Sequence, residues 1–216
     1  MVLALPSVQI PVRFYGYDTV IYLVCAIIGF MIAYNALKLY HTTRSKNHQD
    51  LYRGFVILSI GLLTLALTTG YVYFKYFVYS YVSYFDTLFG VDDLGFWIYL
   101  ATSLAAYLFF VKMYSIDHGE KLLITVLLTS NYFVYFNAVL FLLIAYVAFR
   151  SISNYFMDRS QNKLLVMMAF SSMALYHGLL MFSIFSKVIY VLANLFLLGG
   201  FVALLIMLTR VNRVRK

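Results

Sequence analysis

Of the four histidines in this chain, only His177, in MALYHGLLMF (173–182), lies inside an apolar run; His41, His48 and His118 lie in or beside polar loops. An ionisable side chain at membrane depth marks a functional hypothesis by default, because it must find its partners inside the protein. Counting along the apolar runs places Asn194, Thr102, Ser103 and Thr68 in the same outer half. Together with His177 they predict a polar layer suited to a small polar or amphipathic ligand. The competing expectation is that these side chains only join helices, through hydrogen bonds worth about 0.6 kcal/mol each.

Other chemistry finds little support. A bis-histidine haem needs a second histidine at the depth of His177, and none is present, so no cofactor is expected. In HTTRSKNHQD (41–50), Arg44 and Lys46 interrupt His41, His48 and Asp50, which predicts a solvated basic loop rather than a metal site. The sole glutamate, Glu120, neighbours Asp117 and His118 in the polar stretch SIDHGEK. No Ser–His–acid set shares a depth, and neither a glycine-rich phosphate loop nor an HExxH motif is present. The expectation is a protein that is not an enzyme.

The elements that would position these residues are membrane helices. The chain is 64% hydrophobic and 11% charged, whereas soluble domains carry about 25% charged residues. Continuous apolar runs cover about 18–40, 52–76, 94–114, 164–186 and 188–209. They lack the alternation of a membrane barrel, so the spans should be helices. The single cysteine, Cys25, rules out an intrachain disulfide. The N-terminus lacks a basic n-region and predicts no cleaved signal peptide. The net charge of +8 is explained by loops and tail, so no nucleic-acid partner is expected.

Residues 121–150 are long for one span and short for two. Charge decides between them. Seven spans with the N-terminus outside leave only Arg13, Lys75 and Lys187 outside, and six spans divide the Lys and Arg nearly evenly. The positive-inside rule therefore favours seven, with six as the alternative. The seven-span reading puts a tight turn near Tyr135–Asn137.

An internal echo supports the same plan. Residues 26–38 align with 138–150 at Ala26/Ala138, Ile32/Ile144, Ala33/Ala145, Tyr34/Tyr146 and Ala36/Ala148, and Phe55 matches Phe170 in the following helix. The predicted fold is all-α: one integral membrane domain (1–216) in a 3+1+3 arrangement. A three-helix repeat (18–115), a linker helix (119–136), a parallel second repeat (137–210) and a basic inner tail (211–216) make up the chain. This plan resembles the SWEET-type sugar transporters in topology, but the only prolines are Pro6 and Pro11, so that family's proline-glutamine motif is absent. Rhodopsin-like bundles share the span count, yet the last span holds no interior lysine for a retinal Schiff base. Small residues at four-residue spacing, Ala174/Gly178 and Gly199/Ala203, predict packing seams.

The first expectation for function is a non-catalytic subunit or scaffold of a larger membrane complex, or a homo-oligomer. A seven-helix sensory or ligand-binding protein signalling through a partner is the second, and a small-solute transporter the third. The location expected is a plasma or cytoplasmic membrane. Its lipid bilayer would offer anionic headgroups to the basic inner loops.

Overall fold

A computed structural model describes residues 15–79, 91–114, 132–183 and 186–214. Among these residues there are six helices: α1 (Tyr15–Thr43), α2 (Lys46–Tyr79), α3 (Val91–Tyr114), α4 (Tyr132–Met157), α5 (Gln161–Phe182) and α6 (Lys187–Val214). All six are long and apolar enough to cross a membrane. The chain is a multi-pass helical membrane bundle.

The α1–α2 and α4–α5 turns are short and locally determined. Arg44 adopts a left-handed conformation (φ 55°) and its N–H donates to the Tyr40 carbonyl at 2.8 Å, which ends α1. The Thr43 hydroxyl meets His48 Nδ1 at 2.9 Å, so the stretch read as a solvated loop is a tight α1–α2 corner. Ser160 caps α5, its hydroxyl accepting from the Lys163 N–H at 3.3 Å. Near this basic end Lys112 pairs with the buried Asp50 at 3.6 Å.

The helices form a ring in chain order, each packed on the next, and α6 closes against α1. The seams approach closely through glycine. A Cβ on Gly61 would collide with Thr102, one on Gly29 with Ser59, and one on Gly95 with Thr68. At the α5–α6 seam, Gly200 lies against the Ala169 carbonyl. Its neighbour Gly199 has nothing within 4 Å and lines a shallow outer groove with Ala203. Gly178 and the buried Ala174 lie on α5, where the Phe141 ring of α4 packs on Gly178.

Side-chain contacts fix the helix directions. α1 and α6 run parallel: Tyr22 meets Tyr190 near their starts (3.1 Å), and Asn212 donates to Asn35 near their ends (2.8 Å). α3 and α4 are parallel too. Trp97 packs edge-on against Phe136 near their starts, with ring centroids 5.7 Å apart. Ser151 bonds the Tyr114 hydroxyl at the other end (3.1 Å). Two consequences follow. Lys38, Arg44, Lys46, Arg53, Lys112, Arg150, Arg159, Lys163, Arg210 and Arg213 all gather at one end of the bundle, with only Lys75 and Lys187 at the other among the described residues. And α4 is already helical at Tyr132, so the expected tight turn at Tyr135–Asn137 and the repeat boundary at 136/137 fall within a continuous helix. Most of the expected linker helix, 119–131, lies outside the described residues.

At mid-bundle the ring is filled by Phe55, Phe110, Phe170 and Phe201, all buried. Phe55 meets Phe110 at 5.0 Å and Phe201 at 5.5 Å, and Phe170 meets Phe110 at 5.7 Å. The Phe55–Phe201 and Phe170–Phe110 pairs are edge-to-face and Phe55–Phe110 is tilted, a dense, directional packing.

Candidate functional site

On the less basic side of these phenylalanines the interior turns polar. On α1, Asp18, Tyr22 and Cys25 follow at i, i+4 and i+7, so one face carries them inward; all three are buried. On α6, Tyr190, Asn194, Leu197 and Phe201 follow the same rhythm. On α3, Tyr99, Ser103 and Tyr107 point inward, and on α5, Tyr176 and His177.

Two kinds of polar contact coexist here. The first is complete. His177 Nε2 meets the Tyr107 hydroxyl at 2.7 Å, and Nδ1 meets Asn137 Oδ1 at 3.0 Å. With the carboxamide so oriented, Nδ1–H donates to Asn137 and Nε2 accepts from Tyr107, the pattern of a neutral imidazole. One buried histidine thus ties α5 to α3 and α4. Its ring also packs on Tyr176 and Tyr107, with centroids 4.7 and 5.3 Å away.

The second kind is incomplete. Asp18 is fully buried, and neither carboxylate oxygen makes a hydrogen bond of good geometry, the Tyr190 hydroxyl being its polar neighbour. Nor does the Ser103 hydroxyl or either amide atom of Asn194. A tyrosine hydroxyl stands beside each of these residues. The Tyr190 hydroxyl lies beside both Asp18 and Asn194 and meets Tyr22 at 3.1 Å. Tyr99 lies beside Ser103 and donates to the Tyr176 hydroxyl at 3.3 Å. Buried polar atoms are nearly always satisfied, so a cluster that is not calls for an explanation.

Of the five residues expected in a polar layer, His177, Asn194 and Ser103 are buried, each beside a different tyrosine: Tyr107, Tyr190 and Tyr99. Thr102 and Thr68 lie elsewhere. Each hydroxyl bonds back to its own helix, Thr102 to Ile98 and Thr68 to Thr64, and each faces a glycine across the α2–α3 seam. Asp18, Tyr22, Tyr99, Tyr107, Asn137, Tyr176 and Tyr190 were not anticipated. The i, i+4, i+7 spacing of Asp18, Tyr22 and Cys25 was a readable signal, but Asp18 falls at the edge of its apolar run and reads as a boundary. Among the described residues no three His, Cys, Asp or Glu side chains gather as metal ligands. Comparison with protein-family models, curated proteins and solved structures finds no match.

Proposed function

We propose that this is a seven-crossing, receptor-like membrane protein that admits a small polar ligand to the buried layer and acts through a partner. The observation that carries the reading is the set of unsatisfied polar atoms on Asp18, Ser103 and Asn194, lying above a plug of packed phenylalanines. A bundle serving only as a scaffold gains nothing from leaving a carboxylate unpaired at depth, where desolvation costs several kcal/mol. The plug separates the layer from the basic end, which favours access from the other side.

Parity supports seven crossings. Six successive antiparallel crossings would leave α1 and α6 opposed, but they are parallel. The chain must also return from the level of Tyr114 to that of Tyr132. The gathering of basic residues at one end supports an inner assignment for that end, where they would meet anionic headgroups.

Several contacts support a duplicated plan of parallel halves, α1–α3 and α4–α6. Exchanging Phe55 with Phe170 and Phe110 with Phe201 converts one edge-to-face contact, Phe55–Phe201, into the other, Phe170–Phe110. The exchange also pairs Ile98/Ile189, Tyr99/Tyr190, Leu104/Leu195 and Val111/Val202. The polar layer then lies between halves, as ligand sites do in transporters built from repeats.

Cys25 is a built-in reporter. It is the only cysteine, fully buried and one turn from Tyr22. In proteoliposomes of known orientation, a membrane-impermeant thiol reagent is expected to modify Cys25 slowly from the less basic side and not from the basic side. Inert Cys25 in the folded protein, reactive only after unfolding, contradicts the reading. Modification from both sides would instead indicate a carrier.

A subunit role has one specific observation in its favour. α2 runs for 34 residues, about 51 Å, well beyond a hydrocarbon core of about 30 Å. Its far end exposes Tyr71, Tyr73 and Phe74. Stoichiometric co-purification of a second chain, lost when Tyr71 and Phe74 are changed to serine, would support that role.

A further inference from the structure

Resting on the ligand-binding reading, we infer that Asp18, Tyr22, Tyr190 and Asn194 form a binding site for a sodium-sized monovalent cation. Asp18 is completely buried within a membrane span, and no lysine, arginine or histidine pairs with it among the described residues. A lone buried carboxylate is retained only if something neutralises it. One carboxylate balances one positive charge; a divalent ion here would leave a net charge in low dielectric.

The Tyr190 hydroxyl lies beside the Asp18 carboxylate and beside the Asn194 carboxamide, and it meets the Tyr22 hydroxyl, so the four residues offer carboxylate, hydroxyl and amide oxygens along one chain of contacts. Hard cations take carboxylate, amide and hydroxyl oxygens. Neither an imidazole nor a thiolate is among these four residues, which disfavours softer transition metals.

The two tyrosine oxygens are 3.1 Å apart in a hydrogen bond that a shared ion would replace. Adjacent oxygens around a cation bound at about 2.3–2.6 Å lie roughly 3.2–3.7 Å apart. A small expansion of the tyrosine pair therefore admits a sodium-sized ion, while potassium needs more. The four residues come from the parallel helices α1 and α6, so an ion here would bridge the two halves at the seam that closes the ring.

The test is thermal unfolding of the purified full-length protein in sodium chloride, potassium chloride or choline chloride at matched ionic strength. The expected result is a Tm that rises with sodium by about 3–5 °C per tenfold increase above the midpoint, and little with potassium or choline. Asp18→Asn should abolish the rise, and Asn194→Ala should move the midpoint at least tenfold higher. Should Asp18→Asn not fold, the Asn194→Ala midpoint decides; an unchanged midpoint overturns the inference. Equal Tm values in all three salts also overturn it, as does a Tm that follows pH but not sodium, which assigns a proton to the carboxylate. Cys25 labelling on the same preparations separates the two readings. Cys25 that reacts from the less basic side, without a sodium effect, defeats the cation alone, and inert Cys25 without a sodium effect defeats both.

Discussion

Phe110→Ala is expected to destabilise the bundle by about 2–4 kcal/mol and to open the polar layer toward the basic end. Phe110 is fully buried and contacts Phe55, Tyr107 and Phe170. In a soluble core such a truncation costs about 3–5 kcal/mol, part transfer and part cavity. In lipid the transfer part shrinks, because the separated helices keep Phe110 in hydrocarbon and association rests on packing. The cavity part remains. Chemical or thermal unfolding in detergent or bicelles measures the first effect. The second is read at Cys25, which should become reactive from the basic side in Phe110→Ala alone. Phe110→Leu, which keeps most of the volume, should restore protection.

His177→Ala is the second large effect. It strips the Tyr107 hydroxyl and Asn137 of their shared partner and leaves a cavity across three helices. Interhelical hydrogen bonds in membranes average about 0.6 kcal/mol and reach about 1.7, while an orphaned buried group costs about 1–3 kcal/mol. A total loss of about 2–3 kcal/mol follows from these two principles. Tyr107→Phe removes one bond and should lose about 1 kcal/mol. Because both residues share one network, the double variant should lose less than the sum of the singles. Additive losses in the cycle would mean that the Tyr107–His177 contact carries no energy. On this account His177 holds the layer's shape, and the ligand-facing atoms are those of Asp18, Ser103 and Asn194.

Much of this was legible in the residues. Apolar run length and composition gave the helical membrane bundle, since each span must satisfy its own backbone in lipid. Depth counting selects His177, Asn194, Ser103, Thr102 and Thr68, because residue number along a helix translates directly into height. Height says nothing about which way a side chain points: the first three are buried, and Thr102 and Thr68 stand at the α2–α3 seam. Both hydroxyls bond within their own helix and face seam glycines. Nothing in the sequence marks Tyr99, Tyr107 and Tyr176 as interior; only the ring closure of six helices shows them turned inward and bonded to one another or to His177. Glycine spacing indicated a seam in α6 but selected Gly199, while the close approach falls one residue later at Gly200. A one-residue step rotates a helical position by about 100°, enough to move it from seam to surface.

The central claim is that the two three-helix halves stand parallel across one membrane, so that the polar layer forms between them. The most direct test places the two ends of the chain. Reporters fused at either terminus, one active only inside the cell and one only outside, should put the C-terminus inside and the N-terminus outside. An odd number of crossings puts the two ends on opposite sides, and the basic end of the bundle sets which of them is inside. Both termini on the same side would mean an even number, would break the parallel pairing of α1 with α6 and of α3 with α4, and would contradict the account.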